Sequence, residues 1–247
     1  MSNNSEKIFV FDFDGVICDS TKECLINSFN SYNIYINKNF KLAKSIDEID
    51  VKLIEDFKVF RPYIKGAKEY LKFFDYYFFK KKNLSIEDFH QYKNNTLDYD
   101  RFSEIFYYQR ENLKKNDFNL WISYNYVFND IINFLNSLDF YFIATLKDKK
   151  SVIDILKFHN INFFEEKILD FKIIKTKNEA LNMIINNYGY NKDDLIFIDD
   201  NAFHLLDPKT NGYQVYLSNW ADLNNDIHIK IANDNSIDII NNINYFK

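Results

Sequence analysis

The stretch Ile8-Phe-Val-Phe-Asp-Phe-Asp-Gly-Val-Ile-Cys-Asp-Ser20 lies near the start of the chain and carries most of its information about fold. Residues 8–11 have the length and the composition of a buried β-strand. Because side chains two residues apart point to the same side of a strand, Asp12 and Asp14 are expected to converge at its end. Gly15 allows the backbone to turn sharply beside them. Two carboxylates at such an edge suit a divalent cation, or a nucleophile with its acid/base partner.

The apolar pattern changes along the chain. Residues 18–120 show helical spacing almost throughout, which predicts an inserted all-helical domain. From residue 121 onwards, strand-like runs alternate with helical segments, and this alternation predicts a doubly wound parallel sheet of the α/β, Rossmann-like class. We therefore predict a core made of residues 1–17 and 121–247. The predicted strands of its second part lie near residues 140–145, 167–171, 195–198 and 213–217.

Composition and charge exclude several classes of protein. The chain has 247 residues and a formal net charge of −5, with acidic and basic residues interspersed, so nucleic acid is not expected as a partner. The short lysine runs at 80–82 and 147–150 are expected to be solvated helix ends. No apolar stretch is long enough to span a membrane, and residues 1–7 lack a signal sequence, which predicts a cytoplasmic protein. Cys18 and Cys24 are too few for a metal framework and are not expected to form a disulfide.

The string from Phe11 to Ser20 resembles, over its whole length, the first motif of the haloacid dehalogenase-like superfamily. The match is best to its phosphatase branch of the phosphoglycolate phosphatase type. The resemblance implies an α/β core with a helical cap domain inserted just after the first motif. It also implies an Mg²⁺-dependent phosphatase that hydrolyses a small phosphorylated metabolite through an aspartyl-phosphate intermediate.

By this resemblance, Asp12 is the nucleophile and Asp14 the general acid/base. Thr145, at the end of a predicted strand, corresponds to the phosphate-binding Ser/Thr of the second motif. A lysine is expected to compensate charge in the transition state, and both Lys175 and Lys177 stand before a predicted helix. The family's spacing before the fourth motif favours Lys175, with Lys177 as the alternative.

The fourth motif differs from the commonest form of the family. Asp199 stands in the place of a glycine, and His204 stands in the place of a second aspartate. The resemblance implies that Asp12, Asp14 and Asp200 bind the metal, with Asp199 as a further ligand. His204 is a poor ligand for Mg²⁺, which prefers oxygen, and is expected to hydrogen-bond a carboxylate or a metal-bound water, or simply to pack.

Other functions stay open at this stage. A sugar phosphomutase of the same fold is the nearest alternative enzyme, and a metabolite-binding or regulatory protein without turnover is the alternative outside catalysis. A dehalogenase is disfavoured because Asp14 is present. Arginines of the helical insert are expected to be surface residues rather than substrate ligands: Arg61, Arg101 and Arg110. The sequence carries no signal of the oligomeric state.

Overall fold

A computed structural model describes residues 7–37, 41–64, 66–80, 84–221 and 226–247. The chain divides into two compact units, one made of Met1–Asp19 with Tyr126–Lys247 and the other of Ser20–Asn125. The strands assigned in the described residues are β1 Ile8–Phe11, β2 Cys18–Asp19, β3 Tyr126–Val127, β4 Phe142–Ala144, β5 Ile168–Leu169, β6 Leu195–Asp199, β7 Gln214–Ser218 and β8 Asp238–Ile240.

Helices make up most of the remaining described structure, with short 3-10 turns between some of them. They are α1 Thr21–Tyr35, α2 Val51–Phe60, α3 Ala67–Lys80, α4 Ile86–Gln91, α5 Tyr99–Asn116, α6 Phe118–Ser123, α7 Asn129–Ser137, α8 Lys149–Phe158, α9 Lys177–Tyr188, α10 Ala202–Thr210 and α11 Asp226–Asp234. In the parts of the chain that the structure describes, no helix is both long and apolar enough to cross a bilayer.

The first unit is built on a six-stranded sheet with the order β5-β4-β1-β6-β7-β8. Every neighbouring pair in this sheet is parallel. Strand β1 therefore lies in the middle, with Val10 opposite Phe142 of β4 on one side and opposite Phe197 of β6 on the other. The chain runs outward from β1 in one direction and then in the other, which confirms the predicted doubly wound α/β core.

Both faces of the central strand are covered. Ile8 and Val10 belong to an apolar cluster on one face that includes Leu181 of α9. On the other face the rings of Phe9 and Phe11 stack 5.8 Å apart, and the ring of Phe9 meets Phe134 edge-on at 5.2 Å. The strand is therefore buried on both sides, which explains why its sequence is a continuous apolar run instead of an alternating one.

The second unit, Ser20–Asn125, is helical in all its regular elements within the described residues. Its core is rich in aromatic side chains, and the rings meet mainly edge-to-face or offset-stacked, as aromatic pairs prefer. The ring centroids of Phe57 and Phe73, for example, lie 5.4 Å apart at a steep angle. The fully buried phenylalanines of this core are Phe57, Phe73, Phe74, Phe102 and Phe106.

The boundaries between the units lie after Asp19 and after Asn125, a few residues from the predicted boundaries at 17/18 and 120/121. That the helical unit acts as a cap stays a prediction. Cys18 and Cys24 are buried, and neither forms a disulfide. Lys80 is exposed, and residues 81 and 82 of the same lysine run lie outside the described residues.

One charged pair is buried inside the helical unit. The Arg110 guanidinium donates to both carboxylate oxygens of Glu23, from Nε at 2.6 Å and from Nη2 at 2.9 Å. The Asn27 side-chain amide also donates to Glu23. Neither charged side chain is open to solvent, so the expectation that Arg110 is a surface residue was wrong. A buried guanidinium is stable here because the fold brings it a bidentate carboxylate partner.

Removing one member of this pair should destabilise the protein strongly, because the other charge would be left buried without its opposite charge. We expect Arg110→Met to lower the free energy of unfolding by about 3–5 kcal/mol, measured by urea denaturation with circular dichroism. Arg101→Met is the matched control on the same helix, since Arg101 is exposed and its guanidinium lies over the Tyr35 ring. The control should cost less than about 1 kcal/mol; equal costs would contradict a structural role for the buried pair.

Candidate active site

The first two candidate carboxylates lie at the carboxyl end of β1. The Asp12 amide donates to the Ile198 carbonyl at 2.8 Å, so Asp12 is still held against β6. The Asp12 side chain is almost completely buried, whereas Asp14 is partly exposed and Phe13 between them is buried in the core. This alternation follows the period of a strand.

The backbone turns sharply after Asp14. The Ile17 and Cys18 amides both donate to the Phe13 carbonyl, and Gly15 adopts a positive φ of 83°. The Asp200 carboxylate lies directly against Gly15, because a Cβ placed there would come within 2.0 Å of Asp200 Oδ2. The position therefore requires glycine both for its backbone conformation and for the space that Asp200 fills.

Lys177 links three strand ends. Its ammonium lies 2.7 Å from Asp12 Oδ1 and 3.3 Å from Asp199 Oδ2, and it donates to the Ala144 carbonyl at 2.6 Å. The side chain is buried, so these acceptors take the place of water. Of the two lysines that the sequence left open, this is the one that the fold brings to the aspartates.

Lys175, the lysine that the spacing favours, is not the one that contacts these aspartates. Its side chain is exposed, and its backbone amide donates to Glu179 Oε2 at 2.7 Å. The reason is the start of α9: Thr176 is the N-cap, so Lys175 precedes the helix and Lys177 opens it. The signal was available in the sequence, since Lys177 stands at helical spacing from the apolar residues of the buried face, Ala180, Leu181 and Ile184.

Asp199 ends β6 and is fully buried. Besides Lys177, it accepts a hydrogen bond from the Asn201 amide at 2.8 Å, and His204 Nδ1 lies 3.2 Å from its Oδ2. His204 therefore contacts a carboxylate, which is one of the roles that the sequence left open for it. Asp200 points to the Gly15 turn, so the two neighbouring aspartates have different surroundings.

Thr145 follows β4 and is buried. Its amide donates to the Leu169 carbonyl at 2.9 Å, which holds the end of β4 to the end of β5. Its hydroxyl oxygen accepts a hydrogen bond from the Lys147 amide at 3.0 Å and so shapes the loop after the strand. Thr145 thus lies at the same edge of the sheet as Asp12 and Asp199, because the carboxyl ends of parallel strands share one edge.

Burial and neighbouring charges shift the ionisation of this cluster. Burial raises the pKa of Asp12 to about 6, although the Lys177 ammonium acts in the opposite direction. Burial also works to raise the pKa of Asp199, but there Lys177 and His204 prevail, and the pKa falls to about 2. Burial disfavours the ammonium of Lys177, yet the two carboxylates outweigh it and raise its pKa. At neutral pH the cluster therefore holds ionised carboxylates around one ammonium.

The same cluster offers ligands for a metal ion. Asp12, Asp199 and His204 each provide one ligand atom, and these atoms lie within 4.8 Å of one another. Carboxylate oxygens are the ligands that Mg²⁺ prefers, and an imidazole nitrogen is not. The donor chemistry of the aspartates thus fits a hard divalent cation.

A family model for haloacid dehalogenase-like hydrolases matches residues 6–205, which is most of the chain and includes every site residue described above. The chain belongs to this family. It is therefore a hydrolase of the haloacid dehalogenase-like type, and the resemblance inferred from residues 11–20 is confirmed. No curated protein sequence matches the chain.

Solved structures share the fold of this haloacid dehalogenase-like chain over nearly its full length. A predicted phosphoglycolate phosphatase from Haemophilus somnus is 17% identical, with a TM-score of 0.62, over 97% of this chain and 96% of that one. A haloacid dehalogenase-like hydrolase from Streptococcus pneumoniae is 18% identical, with a TM-score of 0.59, over 98% and 99%. A predicted phosphatase from Clostridium acetobutylicum is 14% identical, with a TM-score of 0.60, over 98% and 97%. At these identities the likeness concerns the fold.

Lys147 is a further charged residue at this edge of the sheet, and it was not predicted as a site residue. Lys147 was expected to be solvated as part of a lysine run, but its side chain is fully buried and its ammonium lies 3.2 Å from Asp14 Oδ1. The signal that was available is its position two residues after Thr145, at the carboxyl edge of the sheet. Composition alone does not reveal which lysine of a run faces inward.

The contact between Gly15 and Asp200 can be tested by stability. We expect Gly15→Ala to lower the free energy of unfolding, because alanine is disfavoured at positive φ and its methyl group would displace Asp200. Gly212→Ala is the matched control: Gly212 has the same φ of 83°, but nothing lies within 4 Å of the added Cβ. The control should cost about 1–2 kcal/mol, and Gly15→Ala about 1–3 kcal/mol more, measured by urea denaturation. Equal costs would show that Asp200 is not held against Gly15.

Proposed function

We propose that this haloacid dehalogenase-like hydrolase is an Mg²⁺-dependent phosphatase that acts on a small phosphorylated metabolite. The observation that carries the proposal is the buried Lys177 ammonium between Asp12 and Asp199, at the carboxyl ends of adjacent parallel strands. This arrangement provides a nucleophilic carboxylate and a fixed positive charge in the crevice where open α/β sheets bind ligands. The phosphatase names among the similar structures support the same reaction class.

In the first step we propose that a carboxylate oxygen of Asp12 attacks the phosphorus atom. The new bond joins Asp12 and phosphorus, and the bond between phosphorus and the ester oxygen breaks. Asp14, which has taken up a proton from solvent before this step, donates it to that departing oxygen, so the alcohol leaves as a neutral product. Asp12 suits the role of nucleophile because its pKa of about 6 leaves the carboxylate ionised at neutral pH.

In the second step, water attacks the phosphorus atom of the aspartyl-phosphate. Asp14, now a carboxylate, accepts a proton from this water, and the acyl–phosphate bond breaks to release inorganic phosphate and free Asp12. Lys177 stays beside the reacting oxygens through both steps and offsets the charge that develops on them. The Thr145 hydroxyl is proposed to bind a phosphoryl oxygen.

Four carboxylates belong to the proposed site, Asp12, Asp14, Asp199 and Asp200, against the ammonium groups of Lys147 and Lys177. This excess of negative charge would repel a phosphate ester. We propose that Asp12, Asp14 and Asp200 hold Mg²⁺, with Asp199 as a further ligand. When bound, the ion neutralises charge and allows one anion to approach another.

The remaining features of the proposal come from the sequence. A role of the helical unit in choosing the substrate, a cytoplasmic location, and action without nucleic acid or membrane stay predictions.

A hydrolysis assay with 4-nitrophenyl phosphate tests this function. We expect the wild-type protein to release phosphate in the presence of Mg²⁺ and to lose this activity in excess chelator. Asp12→Asn should abolish turnover, because an amide is not a competent nucleophile, while the fold should persist because asparagine has nearly the same shape.

Rapid acid quenching of the wild-type reaction should trap a phosphorylated protein, and the Asp12→Asn variant should show none. Full turnover in chelator, or by Asp12→Asn, would rule out the proposed mechanism. A folded, metal-replete wild-type protein that binds phosphate esters without hydrolysing them would favour the binding protein that the sequence left as an alternative.

The two lysines before Leu181 should behave very differently. Lys177→Met removes the positive charge beside Asp12, so we expect kcat/KM to fall by about 10²–10³, the usual loss for one preorganised stabilising group. Lys175→Met is the matched control because Lys175 is exposed, and it should stay within about twofold of wild type. The measurement is steady-state kinetics on the same aryl ester. The reverse order of sensitivity would assign the role to Lys175 and not to Lys177.

A further inference from the structure

Lys147 is a buried cation that the proposed mechanism does not yet use. Its ammonium forms an ion pair with Asp14 Oδ1 at 3.2 Å, and its side chain is fully buried while that of Asp14 is 20% exposed. The other lysines of the same run differ: Lys149 is half-buried and Lys150 is exposed. Only the member of the run that reaches Asp14 is removed from water.

The loop that carries Lys147 is held from several directions. The Thr145 hydroxyl accepts from the Lys147 amide, and the Asp148 side chain accepts from the Ser151 amide at 2.8 Å and caps α8. The Lys149 amide donates at 3.0 Å to Asp170, which is itself buried. The inward direction of Lys147 is therefore fixed by its backbone on both sides.

Burying an ammonium costs free energy unless a partner and hydrogen bonds replace its water. A lysine that served only stability would be expected to pair with a carboxylate away from the chemistry. Lys147 instead pairs with the second aspartate of the Asp-x-Asp turn, and Lys177 pairs with the first, Asp12. Each carboxylate of the turn thus has its own buried lysine.

We propose that Lys147 is a positioning residue that holds the Asp14 carboxyl group in place for proton transfer to the leaving oxygen. This inference rests on the proposed phosphatase function, in which Asp14 is the general acid. Lys147 acts through Asp14: its ammonium donates to Asp14 Oδ1 and fixes the rotamer of this partly exposed side chain in both its protonated and its ionised form. Without that contact the side chain would sample several orientations. It is distinct from Lys177, which compensates charge at the nucleophile.

A positioning role makes the effect of Lys147 depend on the leaving group. A basic alkoxide needs a proton as the ester bond breaks, whereas 4-nitrophenolate leaves readily without one. The three probes are 4-nitrophenyl phosphate, phenyl phosphate and benzyl phosphate, which have similar ring size and increasingly basic leaving groups. The parameter is kcat/KM, because it reports the formation of the phosphoenzyme and not its later hydrolysis.

We expect Lys147→Met to lower kcat/KM for benzyl phosphate at least about tenfold more than for 4-nitrophenyl phosphate, with phenyl phosphate between them. Asp14→Asn should produce the same order of losses. In the double variant, adding Lys147→Met to Asp14→Asn should not further increase the difference in kcat/KM loss between benzyl phosphate and 4-nitrophenyl phosphate, since the proton donor is already absent. Lys150→Met, an exposed lysine of the same run, is the matched control and should leave the ratios between esters unchanged.

Equal losses on all three esters would overturn the inference, because they would indicate that Lys147 binds the phosphoryl group or only supports the fold. The inference would also be overturned if the difference in kcat/KM loss between the esters were larger in the double variant than in Asp14→Asn alone. Lys147→Gln is the second variant, to be used if circular dichroism shows that the methionine variant is unfolded. A wild-type protein without turnover on any ester would instead refute the proposed function, so the two failures are distinguishable.

Discussion

The buried ammonium of Lys177 is the interaction on which the arrangement of the site depends. It contacts Asp12 after β1, Asp199 at the end of β6 and the Ala144 carbonyl at the end of β4. Two buried carboxylates at adjacent strand ends would repel each other, and each would lose its hydration without compensation. A single ammonium offsets both the repulsion and the lost hydration. It can do so because β1 lies between β4 and β6 in the sheet, so that the ends of all three strands are within reach of Lys177. The order of the strands thus gives Lys177 its partners.

The other residues of the site lie around Lys177, Asp12 and Asp199. Gly15 leaves the space in which the Asp200 carboxylate lies, and Lys147 supplies Asp14 with a partner of its own. His204, which occupies the position of a second aspartate in the commonest form of the fourth motif, contacts Asp199. An imidazole there adds a group that can donate to Asp199 where an aspartate would add negative charge. The low pKa of Asp199, about 2, reflects this neighbour together with Lys177.

Much of the fold followed from local patterns. The apolar runs near Phe11 and Ile198 have strand length, and the helical segments between later runs indicated a parallel sheet whose carboxyl ends collect polar groups. These strand runs and the parallel arrangement were sufficient to predict that Asp12 and Asp199 lie at the same edge of the sheet. The spacing before the fourth motif favours Lys175, whereas Lys177 is the lysine that contacts the aspartates, because an interval along the chain does not locate the start of α9. Thr176 caps that helix and turns Lys177, but not Lys175, onto its buried face.

By itself the sequence determined the strand period that brings Asp12 and Asp14 to one edge, the turn at Gly15, the α/β class and the family. Only the tertiary structure decided which charged residues are buried. The residues next to Arg110 and Lys147 in the sequence do not mark either of them as buried. Their partners, Glu23 and Asp14, lie 87 and 133 residues away along the chain. A charge can leave water only where the fold delivers an opposite charge with the right geometry. That condition depends on contacts between distant segments, which no local pattern of residues records.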